Sequence, residues 1–284
     1  MSINCMEKKI KIDGFNLCLS IWEGKGRDVF CVHGISSNSR VWNTIAESLK
    51  DKFNFIGIDL RGRGHSDAPG GYSLKNHVED IKKVLQQLNI DKVILMGHSL
   101  GAYICIMFAA IYPEFVEKIV LFDGGGKLSP EQSEKVFEGI KPSLERLGKV
   151  YESFDEYIEH MKKAPFLQPW YEPMNEYYRY ELEELDNGKV KSRVKPGTIV
   201  EEIENLKNID ISDYYGRIKC PVYILRATEG MMSDNDHLLP EDVLKNMTNA
   251  IPKSEVINIE GTNHYTIAFY PNENREKVLR RILM

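Results

Sequence analysis

The 284 residues lack several features that would assign a protein at once. No apolar run approaches the roughly 20 residues needed to cross a bilayer, so membrane insertion is not expected. The first ten residues, Met1 to Ile10, carry charges where a secretory leader has its apolar stretch. The five cysteines (Cys5, Cys18, Cys31, Cys105 and Cys220) are scattered and include no CxxC pair. Such a set suits reduced, buried thiols and a cytoplasmic setting. There is no HExxH and no paired Cys/His spacing, so no metal is expected. No phosphate-binding P-loop is present, and no cofactor is implied. The formal net charge of -5 provides no basic face, so nucleic acid is not an expected partner. Internal repeats and low-complexity segments are also absent.

What is present is alternation. Lys8–Ile12 and Leu17–Trp22 flank Asp13-Gly14, a hairpin signal. Short apolar runs follow at Val29–Val32, Phe55–Ile58, Val93–Met96 and Ile119–Phe122. Between them, Val41–Leu49, Val78–Leu88 and Leu100–Ile111 carry helical apolar spacing. Continuous apolar strands separated by helices predict an α/β fold with a mostly parallel central sheet and helices on both faces. The pattern breaks at about Lys127 and resumes with strand-like runs at Val222–Ala227 and Val256–Ile259 and a closing helix at Asn274–Leu283. The expected organisation is a core of residues 1–126 and 220–284, with a helical lid, 127–219, inserted after the sixth strand.

Gly97-His98-Ser99-Leu100-Gly101 joins the run Val93–Met96 to the helix starting at Leu100. A strand-to-helix turn is the context in which G-x-S-x-G exposes a nucleophilic serine. Glycines on either side admit close backbone approach. The N–H groups and positive helix end then face developing negative charge. His33-Gly34-Ile35 ends an earlier strand. The Ile35 N–H is the expected second oxyanion donor beside that of Leu100, with Gly34 as the alternative, and His33 is expected to hydrogen-bond structurally. Asp59 to Ser66 superficially suggests a dinucleotide loop, but Asp67 stands where the third glycine belongs. A turn held by Asp59 and Arg61 is the better reading.

Taken together, Val32-His33-Gly34, Asp59 to Ser66, Gly97 to Gly101 and Gly261-Thr262-Asn263-His264 resemble α/β-hydrolases of the esterase, haloperoxidase and epoxide-hydrolase group. The resemblance covers the core on both sides of the insert and not the insert itself. It implies a chain order of serine, acid, then histidine, with His264 as the base that a weakly nucleophilic serine needs. His98 is expected to pack or bond locally, and His65, His77, His160 and His237 to lie on the surface or lid.

The acid is left open. Family members place an aspartate shortly after the strand represented by Val222–Ala227, but Gly230 stands at that spacing. Asp123, ending the strand beside the nucleophile strand, and Asp236, in an Asp-x-x-x-Pro stretch, are the main candidates. Glu229 and Asp234 follow. Serine rather than aspartate at the nucleophile position argues against an aspartyl-ester mechanism. Phe166, Trp170, Tyr171, Tyr177, Tyr178 and Tyr180 suit either an apolar acyl pocket or simple packing of the lid. Met231 and Met232 are expected to pack in the core. The expected activity is carboxylic ester hydrolysis through an acyl-enzyme, on a small or medium substrate. Lactone, amide and C–C bond hydrolysis, or a hydrolase-fold ligand sensor, stand as alternatives.

Overall fold

The computed structural model describes residues 5–233 and 236–284. Strands β1 (Met6–Ile12), β2 (Phe15–Trp22), β3 (Arg27–Val32), β4 (Phe53–Ile58), β5 (Val93–His98) and β6 (Val116–Phe122) precede the insert. With them come helices α1 (Asn43–Leu49), α2 (Leu74–Gln87) and α3 (Leu100–Ile111). The insert contains helices α4 (Pro130–Leu144), α5 (Phe154–Met161), α6 (Met174–Glu181), α7 (Pro196–Lys207) and α8 (Ser212–Tyr215). It also carries three short strands, β7 (Val150–Tyr151), β8 (Leu182–Glu184) and β9 (Val190–Ser192). After it come β10 (Val222–Ala227), α9 (Glu241–Ala250), β11 (Ser254–Ile259), α10 (Thr266–Phe269) and α11 (Glu273–Leu283).

Eight strands form one sheet in the order β1-β2-β4-β3-β5-β6-β10-β11. From β4 to β11 every pairing is parallel, whereas β2 runs antiparallel to both its neighbours. The side-chain period of two divides each central strand between two cores. Phe30, Val32, Val93 and Leu95 pack on one face with α2 and α3. Val29, Cys31, Ile94 and Met96 pack on the other with α1 and α11. All six residues of β5 are buried, which is why this strand reads as a continuous apolar run.

Chain order reverses at β3. The connection through α1 leads to β4 on one side, and the connection through α2 leads to β5 on the other. The carboxyl ends of strands flanking such a reversal leave a crevice between diverging loops. Here register brings those ends level: Val32 pairs with Gly97, and His98 with Phe122.

The insert differs from an all-helical lid. β7, β9 and β8 form a separate three-stranded antiparallel sheet. Strands of two or three residues are too short to display a period, so the sequence pattern passes over them. The insert's Tyr157, Met161, Phe166, Tyr177 and Tyr178 are buried in the same core cluster as Met96 and Phe122. Among the described residues no helix is long and apolar enough to cross a membrane.

Candidate active site

Ser99 sits between β5 and α3 at φ 54°, ψ -117°, a left-handed conformation that a β-carbon disfavours. The surrounding glycines permit it. A Cβ on Gly97 would lie 2.3 Å from the Gly101 carbonyl oxygen, and one on Gly101 only 2.0 Å from that of Val32. The Ser99 amide donates to the Phe122 carbonyl at 3.1 Å, tying the turn to the neighbouring strand. The Oγ is left at the rim of a cavity of about 50 Å³ that His264 and Arg146 also line.

His264 and Asp123 meet across 141 positions of sequence, with Nδ1 donating to Oδ2 at 2.8 Å. Both are nearly inaccessible, at 3% and 2%. A carboxylate can only accept, so the proton is on Nδ1 and Nε2 is left as an acceptor. Asp123 is itself fixed at φ 44°. Its other oxygen accepts from the Ala227 amide at 3.1 Å, and its own amide donates to Leu225 at 2.9 Å. The carboxylate is thus clamped between β6 and β10. Ser99 Oγ and His264 share the cavity without a hydrogen bond between them; such contacts often close only around substrate.

His98 donates from Nε2 to the His264 carbonyl at 2.8 Å. Burial pushes its pKa well below the ordinary value, so the ring is neutral. Its Nδ1 faces Gly34, where a Cβ would lie 3.2 Å away. His33 donates from Nδ1 to the Gly34 carbonyl at 2.7 Å and accepts at Nε2 from the Leu60 amide at 3.0 Å. Burial pushes its pKa down to about 3. Among the described residues, neither the Ile35 nor the Leu100 amide donates to a protein acceptor. Ile35 lines the cavity, and Leu100 directly follows Ser99 at the start of α3.

The other carboxylates lie elsewhere. Asp236 caps its own loop, accepting from the amides of Met232 at 2.8 Å and Ser233 at 3.1 Å. Glu229 is exposed, and Asp234 is outside the described residues. Asp59 binds the Ser39 and His65 amides at 2.7 and 2.9 Å and accepts from Tyr180 at 2.6 Å. Arg61 pairs with Asp80 of α2. His77 is not a surface residue. It is fully buried, with Nε2 2.7 Å from Glu202 of α7. Of the insert aromatics, Phe166, Tyr177 and Tyr178 line the cavity. Trp170 stacks on Tyr178 and Tyr171 packs on Tyr270, away from the cavity wall. Met231 is buried and Met232 is exposed.

Arg146, which lines the cavity, and Glu181 and Glu202 behind it carry no sequence signal, and Arg63, though inside the Asp59 to Ser66 segment, gives no sign of its partner. Arg63 donates to Glu202 at 2.9 Å, and Arg146 grips Glu181 with two bonds of 2.8 and 2.9 Å. Each pair spans 35 positions of sequence or more, so no local spacing announces it. The described residues hold one His/Cys/carboxylate group close enough to share a metal, Glu7, Cys18 and His65. None of the three lines the cavity.

Residues 29–270 match the α/β hydrolase fold family. A serine hydrolase-like protein of Danio rerio is 28% identical over 260 residues, covering 84% of this chain and 76% of that protein. The 2-(acetamidomethylene)succinate hydrolase of Mesorhizobium japonicum is 26% identical over 267 residues, covering 90% and 88%. The crystal structure of an E-2-(acetamidomethylene)succinate hydrolase superposes with a TM-score of 0.86 at 22% identity, over 99% of this chain and 100% of that one.

Proposed function

The chain belongs to the α/β-hydrolase fold family, and from that premise we propose that it is a serine hydrolase acting on small or medium carboxylic esters. The observation that carries this reading is one continuous arrangement. Asp123 holds His264 in the tautomer that leaves Nε2 unprotonated, and that imidazole shares a cavity with the Ser99 hydroxyl.

In this reading His264 Nε2 takes the Ser99 proton as Oγ attacks the ester carbonyl carbon. The carbonyl oxygen becomes an oxyanion held by the Ile35 and Leu100 N–H groups. The tetrahedral adduct collapses, the C–O bond to the alcohol breaks, and His264 returns its proton to the leaving oxygen. Water, deprotonated by His264, then attacks the acyl-enzyme and releases the acid. Asp123 keeps its charge throughout and steadies the imidazolium. The cavity wall formed by Phe166, Leu167, Tyr177 and Phe269 suits an apolar acyl group. Residues 127–219 act as the lid over it, and residues 1–126 with 220–284 as the core. The fully buried thiols Cys18, Cys31 and Cys105 suit a reducing, cytoplasmic setting.

The test is hydrolysis of an activated aryl ester. Ser99→Ala is expected to abolish turnover while circular dichroism and the melting temperature stay close to wild type. Undiminished turnover in that variant removes Ser99 from the mechanism. A second reading, amide hydrolysis, draws on the relative named for 2-(acetamidomethylene)succinate hydrolysis. Faster cleavage of acyl amides than of matched esters would favour it.

A further inference from the structure

Three successive carbonyls of the loop after β3 point at buried side chains. His33 Nδ1 donates to Gly34 O at 2.7 Å, Arg63 Nε to Ile35 O at 3.0 Å, and Arg146 Nη2 to Ser36 O at 2.7 Å. The next residue, Ser37, accepts at Oγ from Tyr177 of α6 at 3.1 Å. Neither arginine belongs to the loop, and each is locked by a glutamate from the insert. Glu202 of α7 binds Arg63, and Glu181 at the end of α6 binds Arg146. All four side chains are nearly solvent-free, at 4% exposure or less. The glutamates have further anchors: His77 on Glu202 at 2.7 Å and Tyr157 on Glu181 at 3.0 Å.

We propose that Arg63 and Arg146 are positioning residues that hold the 34–37 loop in its oxyanion-binding shape, and that the insert, through Glu202 and Glu181, sets both of them. This rests on the esterase reading above. The physical reason is that a peptide plane has one free rotation to lose. The plane that carries the Ile35 N–H is held through the Gly34 carbonyl by His33 Nδ1 and by the Ser37 amide at 3.2 Å. The two planes that follow it are tied back to guanidinium groups through the Ile35 and Ser36 carbonyls, so the loop is braced on the C-terminal side of its donor. The Ile35 amide, which has no protein acceptor, is then kept available for the substrate oxygen. A preorganised donor stabilises the transition state without reorganising, so its loss reads in kcat more than in KM. The consequence is that the insert completes the catalytic machinery of the core rather than only covering it.

The experiment compares full-length wild type with Arg63→Lys and Arg146→Lys, which keep the charge but lose the fork that spans glutamate and carbonyl. Glu202→Gln and Glu181→Gln are second variants should either lysine protein fail to fold. Tyr180→Phe is the control: it removes a buried core–insert hydrogen bond from the residue next to Glu181 without touching the loop. With p-nitrophenyl acetate as substrate and folding checked by near-ultraviolet circular dichroism, the clamp variants are expected to lose about tenfold or more in kcat. Their KM should stay within about threefold, and Tyr180→Phe should match wild type. Clamp variants that keep wild-type kcat overturn the proposal. So does an equal loss in Tyr180→Phe, which would mean that any loosening of the insert suffices. A wild-type protein that neither turns over the ester nor is labelled at Ser99 by a fluorophosphonate refutes the esterase reading itself, before any clamp variant is compared.

Discussion

At Asp123 two demands on one carboxylate are met by different oxygens. Oδ2 orients His264, while Oδ1 accepts the Ala227 amide and fixes the side chain from the opposite strand. Asparagine at this position is nearly isosteric but can present an N–H to His264, favouring the tautomer with the proton on Nε2, where it cannot accept from Ser99. Asp123→Asn is therefore expected to lower kcat by roughly 10³- to 10⁴-fold with the fold intact. Asp236→Asn, which disturbs only a loop of exposed backbone donors, should stay within about threefold of wild type. Steady-state kinetics on the two variants side by side decide the matter, and a larger loss at Asp236 would reverse the assignment. The sequence left these two carboxylates open for a physical reason. The glycine-flanked serine and the late histidine announce themselves through local chain geometry, whereas the acid is chosen by which strand ends adjoin, and adjacency is a property of the sheet. The same holds for Arg146 and Glu181, isolated in a segment with no motif and joined only after α4 and α6 pack.

Among the elements, the core was legible because the central strands are buried on both faces and the helices that cover them repeat their apolar residues at helical spacing. The hairpin, the four central strands and α2, α3 and α11 all lie within a few residues of the apolar runs that mark them. The insert was less so, since its strands are two or three residues long and its longest helix, α4, buries only Gly139 and Ser143. Its function is carried by particular side chains reaching the core. Phe166 stacks on Tyr265, the residue after His264, with centroids 4.3 Å apart, and closes one wall of the cavity. Phe166→Ala opens that wall. Burying two more methylenes of an acyl chain is worth about 1.6 kcal/mol, or about 15-fold. The ratio of kcat/KM for a p-nitrophenyl butyrate over the acetate should rise by about tenfold in this variant. An unchanged ratio would mean that the acyl chain does not run toward Phe166.

For the molecule as a whole, three buried groups near the core–insert boundary, His33, His98 and Glu202, lose stability in acid, whereas burial raises the carboxyl of Asp59 and gives it the opposite response. His33 is held neutral by burial, with its pKa brought from 6.5 to about 3, and His98 is shifted in the same direction by the same cause. The unfolded chain therefore takes up these protons first as pH falls through about 6.5, and folding stability declines from there down to the folded values. Glu202 acts lower in the range. Burial alone would raise its carboxyl, but His77 and Arg63 outweigh that and bring it from 4.5 to about 2. Its contribution is complete above 4.5 and is lost as pH falls toward 2, a difference on the order of 3 kcal/mol. The urea midpoint should thus be level near neutrality, fall below about pH 6.5, and fall more steeply below about pH 4.5. Glu202→Gln removes the lower component only. The stability gap between it and wild type should be largest at pH 7 and narrow below pH 4.5, while the decline between pH 6.5 and 4.5 persists. A gap that stays constant from pH 7 to pH 3 would show that the Glu202 charge does not stabilise the junction between α7 and the turn after β4. The insert would then be held by packing alone, and the link from Glu202 through Arg63 to the Ile35 carbonyl would lose its energetic basis.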